Sequence, residues 1–185
     1  TGEHPRQGAT DVCPFVPVSG VTMDDCVELA NRLGKRVGED LGIPVFLYEH
    51  AARTPERKSL ADIRVGEYEA WPNKLGKPEW APEYGPNEFL PKTGAVVMGA
   101  REFLIAYNVN VDTRHKKLAH QIALDIREKG RFQRDEDGKF VRDEEGQKVR
   151  QPGLLQECRA VGWYIDEYRK AQISINLTNY HVTSV

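Results

Sequence analysis

The feature that most constrains the fold is an amphipathic helix that lies between two short extended segments near the start of the chain. Thr22 is a good N-terminal cap, two aspartates follow in the first turn, and Gly42 ends the helix. Extended segments are expected at residues 9–18, where prolines favour an edge or bulged strand, and at 43–48. The apolar positions of the helix recur at helical spacing: Met23, Cys26, Val27, Ala30, Leu33, Val37 and Leu41. The first predicted unit is therefore β-α-β.

The second half of the chain predicts a related β-α-β-β unit. Its strands are expected at 103–111, 155–165 and 171–183, with a helix at 113–129, and a further strand is expected before it at 95–98. The inward positions of this helix are predicted to be Leu118, Ala119, Ile122 and Ile126. Short helical pieces, broken near Pro72 and Gly76, are expected at 59–75. A ferredoxin-like unit is βαββαβ, so we expect an α+β domain that is truncated at both ends.

Composition excludes several classes of function. The 185 residues include 26 basic and 28 acidic side chains, and this near-neutral balance argues against nucleic acid as a partner. No apolar run reaches the roughly 18–20 residues of a membrane span, and we expect no signal peptide. The three cysteines form no CxxC pair, so we expect reduced thiols, no metal site and a cytoplasmic protein.

A loop rich in proline and aromatic residues is predicted at 76–94. Such a long loop in a compact domain is usually functional or disordered, and its aromatic residues favour order. Aromatic rings beside glycines can stack on a flat heterocycle while backbone groups bond its edge. The alternative is a stiff loop that covers a core. The residues that define it are Pro78, Trp80, Pro82, Tyr84, Pro86, Phe89 and Pro91.

Residues 132–139 and 140–148 nearly repeat each other. Each repeat carries an acidic stretch that runs into Gly138 or Gly146, which is typical of a short hairpin turn. The same stretch nearly matches an EF-hand loop, but Gln133 occupies the first ligand position. A solvated hairpin is the main prediction for about 131–150, and calcium binding is the minor alternative.

Histidine is the remaining candidate for chemistry, since the chain has no P-loop, GxGxxG, HExxH or GxSxG motif. Among five histidines, His4 has the most distinctive neighbours. It precedes a proline, lies between Gly2 and Gly8, and has the opposite charges of Glu3 and Arg6 beside it. His4 is thus a candidate acid/base, although a loop histidine without a role is the default interpretation.

A series of short, distinctive segments runs through essentially the whole chain apart from about 131–150. The segments are GEHPR at 2–6, DVCPFVPV at 11–18, AAR at 51–53, IR at 63–64, GEYE at 66–69, WAP at 80–82, YGP at 84–86, GAR at 99–101, FLIA at 103–106, GWY at 162–164 and AQ at 171–172. In this order they resemble the formiminotransferase domain of formiminotransferase-cyclodeaminase proteins.

The resemblance implies transfer of the formimino group from N-formimino-L-glutamate to tetrahydrofolate, in histidine degradation and one-carbon metabolism. It implies two ferredoxin-like α/β subdomains with mixed or antiparallel sheets, at 1–101 and 102–185. His4 falls on the family's general acid/base, and Arg6 is a candidate for charge stabilisation. The folate-binding stretch falls on Gly85, Pro86, Asn87, Glu88, Phe89, Leu90, Pro91, Lys92, Thr93 and Gly94.

Tetrahydrofolate would be a co-substrate, and no metal is expected. The implied partners are formiminoglutamate, further copies of the chain and a cyclodeaminase domain or protein, with neither nucleic acid nor membrane. The competing hypothesis is a non-catalytic module that binds folate or contacts subunits within a larger assembly.

Overall fold

The computed structural model describes residues 6–185, which form two compact units, the first ending at Glu102 and the second spanning Phe103–Val185. Both units combine helices with strands, so the predicted α+β class is confirmed. The first unit contains β1 (Val12–Phe15), α1 (Met23–Asp40), β2 (Val45–Glu49), α2 (Leu60–Ile63), α3 (Trp71–Lys74) and β3 (Val96–Ala100). The second contains β4 (Ile105–Val111), α4 (Lys116–Ile126), β5 (Arg131–Phe132), β6 (Arg150–Gln151), β7 (Cys158–Ile165) and β8 (Lys170–Leu177).

The sheet of the first unit is parallel, with the strand order β1-β3-β2. β1 is an edge strand, as its proline content predicted, and Pro14 lies opposite Gly99 of β3. The central strand β3 is buried at every position. A parallel strand that is covered on both faces reads as a continuous apolar run, which explains the unbroken Val45–Tyr48 segment of β2.

Helix α1 begins where the sequence predicted. Thr22 and Asp25 form a capping box: the Thr22 N–H donates to Asp25 Oδ2 over 2.8 Å, and the Asp25 N–H donates to Thr22 Oγ1 over 3.2 Å. Leu41, the last of the apolar positions at helical spacing, follows the last helical turn and is 66% exposed. In the described residues no helix is long and apolar enough to cross a membrane.

Both faces of the first sheet are covered. On one face, Ala30 of α1 packs with buried residues of β2 and β3: Val45, Leu47, Val96 and Met98. On the other, the short helical pieces of 55–80 pack on a second core: Phe46, Tyr48, Ile63, Trp71, Leu75 and Val97. The predicted helical pieces are therefore present. A new piece, α3, begins at Trp71, so the expected break lies near Pro72, which occupies the first turn of α3, where proline is tolerated.

The second unit is antiparallel, with the strand order β4-β8-β7. The last strand of this sheet along the chain, β8, lies between the first, β4, and the second, β7. The first three strands of a ferredoxin-like unit have the same arrangement. Helix α4 packs on β7 and β8 through the buried side chains of Ala119 and Ala123. Leu118, predicted to face inward, is instead 44% exposed. It directly precedes the buried Ala119 and points about 100° away from it around the helix.

Residues 131–151 form the predicted hairpin turns. β5 pairs with β6, and inside this pair Arg134 lies opposite Phe140 and Arg142 opposite Lys148. At each turn an aspartate accepts backbone N–H bonds: Asp135 Oδ1 from Lys139, and Asp143 Oδ1 from Glu145 and Gln147. Turn formation therefore accounts for the spacing of these aspartates without a calcium ion.

Candidate functional site

Arg6 is the first candidate residue in the described chain, and His4 lies outside the described residues. Arg6 Nη2 donates to Glu69 Oε1 over 2.8 Å, and its guanidinium lies 5.1 Å from the centre of the Tyr68 ring. A hydrogen bond from the Glu69 backbone N–H, together with the neighbouring Arg6, lowers the pKa of the Glu69 carboxyl. Arg6 therefore carries its charge at the protein surface with a counter-ion already in contact.

The residues that follow Arg6 pair with the end of the predicted folate loop. Gly8 and Gly94 form an antiparallel bridge, and the Ala9 N–H donates to the Thr93 carbonyl over 2.9 Å. The Ala95 N–H donates in turn to the Gln7 carbonyl over 3.2 Å. The fold thus brings together two of the candidate segments, the one that follows His4 and the one that ends at Gly94.

Two glycines allow this close approach. A Cβ on Gly8 would lie 2.0 Å from the Ala95 carbonyl oxygen, and one on Gly94 would lie 2.5 Å from the Gln7 carbonyl oxygen. Gly94 also has a φ of +63°, a conformation that side chains disfavour. The backbone contact therefore requires glycine at both positions.

The side chain of Gln7 is fully buried. Its backbone carbonyl accepts a hydrogen bond from Trp71 Nε1 over 2.7 Å, but within residues 6–185 neither atom of its side-chain amide has a hydrogen-bond partner. A buried amide without a partner costs about 1–3 kcal/mol. The buried Gln7 side chain is therefore expected to lower the free energy of unfolding of the first unit.

Replacing Gln7 with methionine is expected to raise the free energy of unfolding by about 1–3 kcal/mol, because it removes the buried amide and keeps a similar length. Urea denaturation measures the change. The exposed Gln156 provides the control, since Gln156→Met is expected to stay within about 0.5 kcal/mol of the wild type. A loss of stability in Gln7→Met would instead mean that the amide is hydrogen-bonded in the folded protein.

Near its middle, at Tyr84, the loop at 76–94 is held against the rest of the first unit. The Tyr84 carbonyl accepts from the Val45 N–H over 2.9 Å and so extends the edge of β2. The Tyr84 hydroxyl bridges Arg53 and Asn31 of α1, at 2.8 and 2.9 Å. Order in this loop, predicted from its aromatic residues, is therefore confirmed.

The predicted folate-binding half of the loop, residues 85–94, is held by Tyr68. The Tyr68 hydroxyl donates to the Pro91 carbonyl over 2.6 Å, and its ring meets Phe89 edge-on at 5.6 Å. Asn87 accepts from the Gly76 N–H and donates to the Lys77 carbonyl, so its amide shapes the loop.

Some of the remaining loop candidates contact the protein through their backbone, and others have exposed side chains. Gly85 has a φ of +84° and lies against the Ile43 carbonyl, and the Leu90 carbonyl accepts from the Gly94 N–H. Pro86 is half-buried, and the side chains of Glu88 and Lys92 extend from the loop surface. These two charged groups are the side chains of the loop best suited to contact a polar ligand.

Sequence reasoning missed a buried ion pair beneath the first half of the loop. Arg57 Nη1 lies 2.5 Å from Glu83 Oε1, and the two side chains are only 13% and 4% exposed. Glu83 Oε2 also accepts from the Leu47 N–H of β2, while Arg57 donates to the carbonyls of Glu79 and Ala81. Only the three-dimensional fold shows this pair, since its members lie 26 positions apart in unrelated motifs.

A cleft of about 670 Å³ opens beside this pair. Its walls are formed by residues 53–57 and 78–83, with Trp80 and Arg53 among them. None of the described candidate residues lines it. The cleft and the predicted folate stretch are therefore separate features of the first unit.

Comparison with known proteins assigns the chain to a family. Residues 1–101 match the formiminotransferase domain, N-terminal subdomain, and residues 106–185 match the formiminotransferase domain. The chain is 52% identical to formimidoyltransferase-cyclodeaminase of Sus scrofa and 40% identical to glutamate formimidoyltransferase of Streptococcus pyogenes serotype M1. Both alignments cover 100% of this chain, but 31% and 54% of the relatives, so the chain spans about a third to a half of their length. The chain therefore belongs to the formiminotransferase domain family, a family of transferases.

Proposed function

We propose that the protein containing this chain transfers the formimino group from N-formimino-L-glutamate to tetrahydrofolate, with His4 as general acid/base. The observation that carries the proposal is the pairing of residues 7–9 with residues 93–95. It fastens the segment that follows His4 to the end of the predicted folate loop. An acid/base group and a folate site must lie close together for this reaction.

The chemistry needs one group that can both accept and donate a proton. A nitrogen of tetrahydrofolate attacks the formimino carbon and loses a proton, and the tetrahedral intermediate then expels glutamate as an amine that needs a proton. A single imidazole with a pKa near neutrality serves both steps. His4 would take the proton from the attacking nitrogen and return it to the departing nitrogen.

Arg6 would stabilise charge in the intermediate and would not transfer a proton. Arg6 lies two positions after His4, and its guanidinium is held by Glu69 and Tyr68. It would therefore present a preoriented cation to negative charge that develops in the intermediate. Backbone N–H groups near Gly8 would add further donors.

Gly85–Gly94 would hold the folate through its backbone groups and through the charged side chains of Glu88 and Lys92. Residues 1–101 would form the end of the family's first subdomain, and residues 102–185 the start of the second. We also propose a cytoplasmic homo-oligomer, associated with a cyclodeaminase domain or protein.

The test compares the full-length wild type with His4→Ala, measuring formimino transfer and tetrahydrofolate binding. The turnover number of His4→Ala is expected to fall by about a hundredfold or more, because an acid/base group contributes about 10²–10⁴ in rate. Tetrahydrofolate affinity is expected to change by less than about twofold, since the loop is untouched.

His115→Ala is the matched control, because His115 is exposed and its side chain does not cap α4. This variant is expected to keep wild-type turnover. Folate binding without any transfer by the wild type would replace the enzyme with a non-catalytic binding module. Full activity in His4→Ala would remove the acid/base role alone.

A further inference from the structure

The turn that leads into β1 is built around Asp11. Asp11 has a φ of +63°, a backbone conformation that few residues other than glycine adopt, and aspartate tolerates it because its short side chain can bond the local backbone. Here Asp11 Oδ1 accepts a hydrogen bond from the Gln7 N–H over 3.0 Å. The carboxylate therefore closes residues 7–11 into a turn directly before Val12, the first residue of β1.

Asp11 is held on its other side by Arg64. Arg64 Nη2 lies 2.5 Å from Asp11 Oδ2, although the two residues are 53 positions apart. Their side chains are only 21% and 27% exposed, so solvent screens this ion pair less than it screens a surface pair. Arg64 directly follows the buried Ile63, so the ion pair joins the Asp11 turn to the core of the first unit.

Gln7 is the residue that this turn holds in place. Its carbonyl accepts from Trp71 Nε1 and from the Ala95 N–H, over 2.7 and 3.2 Å, and its side chain is fully buried. With Asp11 on its N–H, both polar backbone groups of Gln7 have protein partners. Gln7 lies three positions after His4. The chain is therefore fixed at a point close to the candidate acid/base.

Arg64 belongs to a short stretch of chain that holds several candidate segments at once. Four side chains within residues 64–71 bond either the chain that follows His4 or the predicted folate loop. The bonded pairs are Arg64 with Asp11, Tyr68 with Pro91, Glu69 with Arg6 and Trp71 with Gln7. This stretch therefore sets the position of residues 6–11 relative to the predicted folate loop.

Stability alone does not explain the side chains of this cluster. Among residues 6–185, the buried side-chain nitrogen and oxygen atoms without a hydrogen-bond partner are both amide atoms of Gln7, and Arg64 Nε. These two residues lie on either side of the Asp11 carboxylate. A buried polar atom without a partner is destabilising, and such atoms are uncommon outside functional or strained sites. Their concentration here favours a functional role for the cluster.

We propose that Arg64 is a positioning residue for formimino transfer, which acts through Asp11 to fix the segment that carries His4. This rests on the proposed transfer function, with His4 as the acid/base. Proton transfer requires the acid/base to lie within hydrogen-bond reach of the reacting nitrogen, so a displacement of about 1 Å can lower the rate about a hundredfold. Arg64 itself transfers no proton in this role.

The first variant is Arg64→Met in the full-length protein, which keeps an apolar side chain and removes the charge. Its turnover number is expected to fall about tenfold or more, because no cation then holds the Asp11 carboxylate. The Kd for tetrahydrofolate is expected to stay within about twofold, since Tyr68 still holds the predicted folate loop. Arg64→Lys restores a cation and is expected to return the turnover number to within about threefold of the wild type.

A second variant and a control address misfolding. Asp11→Gly removes the carboxylate without backbone strain, because glycine readily adopts a φ of +63°, and the same loss of turnover is expected. Arg36→Met removes an arginine from an exposed ion pair with Asp40 on α1 and is expected to keep wild-type turnover. Each variant is assayed below its own melting temperature, so the turnover number reports folded protein.

Combination with His4→Ala separates positioning from a merely structural role. Because Arg64 is inferred to act through His4, Arg64→Met is expected to change the residual turnover of a His4→Ala protein by less than about twofold. A structural role would instead lower turnover by the same factor in both backgrounds. That additive result would overturn the inference and leave the transfer function standing.

The other outcomes also distinguish the inference from the function on which it rests. Wild-type turnover in both Arg64→Met and Asp11→Gly would overturn the inference alone. A loss of turnover in Arg64→Met that Arg64→Lys recovers, and that disappears in the His4→Ala background, would support it. A wild type that transfers no formimino group would overturn the inference together with the proposed function, and a fully active His4→Ala would overturn it together with the acid/base role.

Discussion

Replacing Gly94 with alanine is expected to destabilise the protein by about 2–5 kcal/mol and to weaken tetrahydrofolate binding. Gly94 has a φ of +63°, where an alanine costs about 1–2 kcal/mol of backbone strain. Its Cβ would also lie 2.5 Å from the Gln7 carbonyl oxygen and 2.9 Å from Gly8 Cα. Relief of this clash must part residues 7–9 from residues 93–95, at a cost of about 1–3 kcal/mol.

The chain offers a close control for the strain alone. Gly42 has a φ of +62°, but a Cβ there would meet nothing within 4 Å. Gly42→Ala is therefore expected to cost only about 1–2 kcal/mol in urea denaturation. Gly8→Ala isolates the clash, since Gly8 lacks a positive φ. Equal costs for Gly94→Ala and Gly42→Ala would show that the two segments are not in contact.

Removing Glu83 is expected to cost about 3–5 kcal/mol of stability, because it breaks a buried ion pair from one side. Glu83→Ala leaves the Arg57 guanidinium largely buried, with the carbonyls of Glu79 and Ala81 as its remaining acceptors among the described residues. It also removes the acceptor of the Leu47 N–H in β2. The start of the loop is then expected to detach from the edge of the sheet, which thermal unfolding followed by tryptophan fluorescence would detect near Trp80.

Two variants sharpen this test. Glu79→Ala truncates the same residue type four positions earlier in the loop, but the Glu79 side chain is exposed, so a change within about 0.5 kcal/mol is expected. Arg57→Met combined with Glu83→Met removes both charges and is expected to recover part of the loss. If Glu83→Ala were as mild as Glu79→Ala, water would have to reach Arg57 freely.

Local chemistry determines much of this fold. The Thr22 cap and the helical spacing behind it place α1, and Gly138 and Gly146 place the hairpin turns. Each signal depends on residues within a few positions of one another. The resemblance to a family also comes from short local segments, which is why it identifies the formiminotransferase domain so directly.

Local signals are weakest where packing decides. Leu41 and Leu118 fit an apolar stripe, yet both are exposed, Leu41 because it follows the last turn of α1 and Leu118 because it points away from the buried side of α4. Gly34 and Gly38, which carry no apolar signal, are buried residues of α1 that lie against Tyr84. Burial depends on what lies opposite a position, and periodicity within one helix does not contain that information.

The sequence by itself determined the α+β class, the main elements and the family, since these follow from short-range spacing and local motifs. Only the tertiary structure decided which side chains and backbone groups meet. It joined Gly8 to Gly94, buried Glu83 against Arg57, and aligned Trp163, Gln172 and Asn110 across three strands. Gln172 and Asn110 lie 62 positions apart, and they become neighbours only because β4 pairs with β8, a strand that is distant in the sequence.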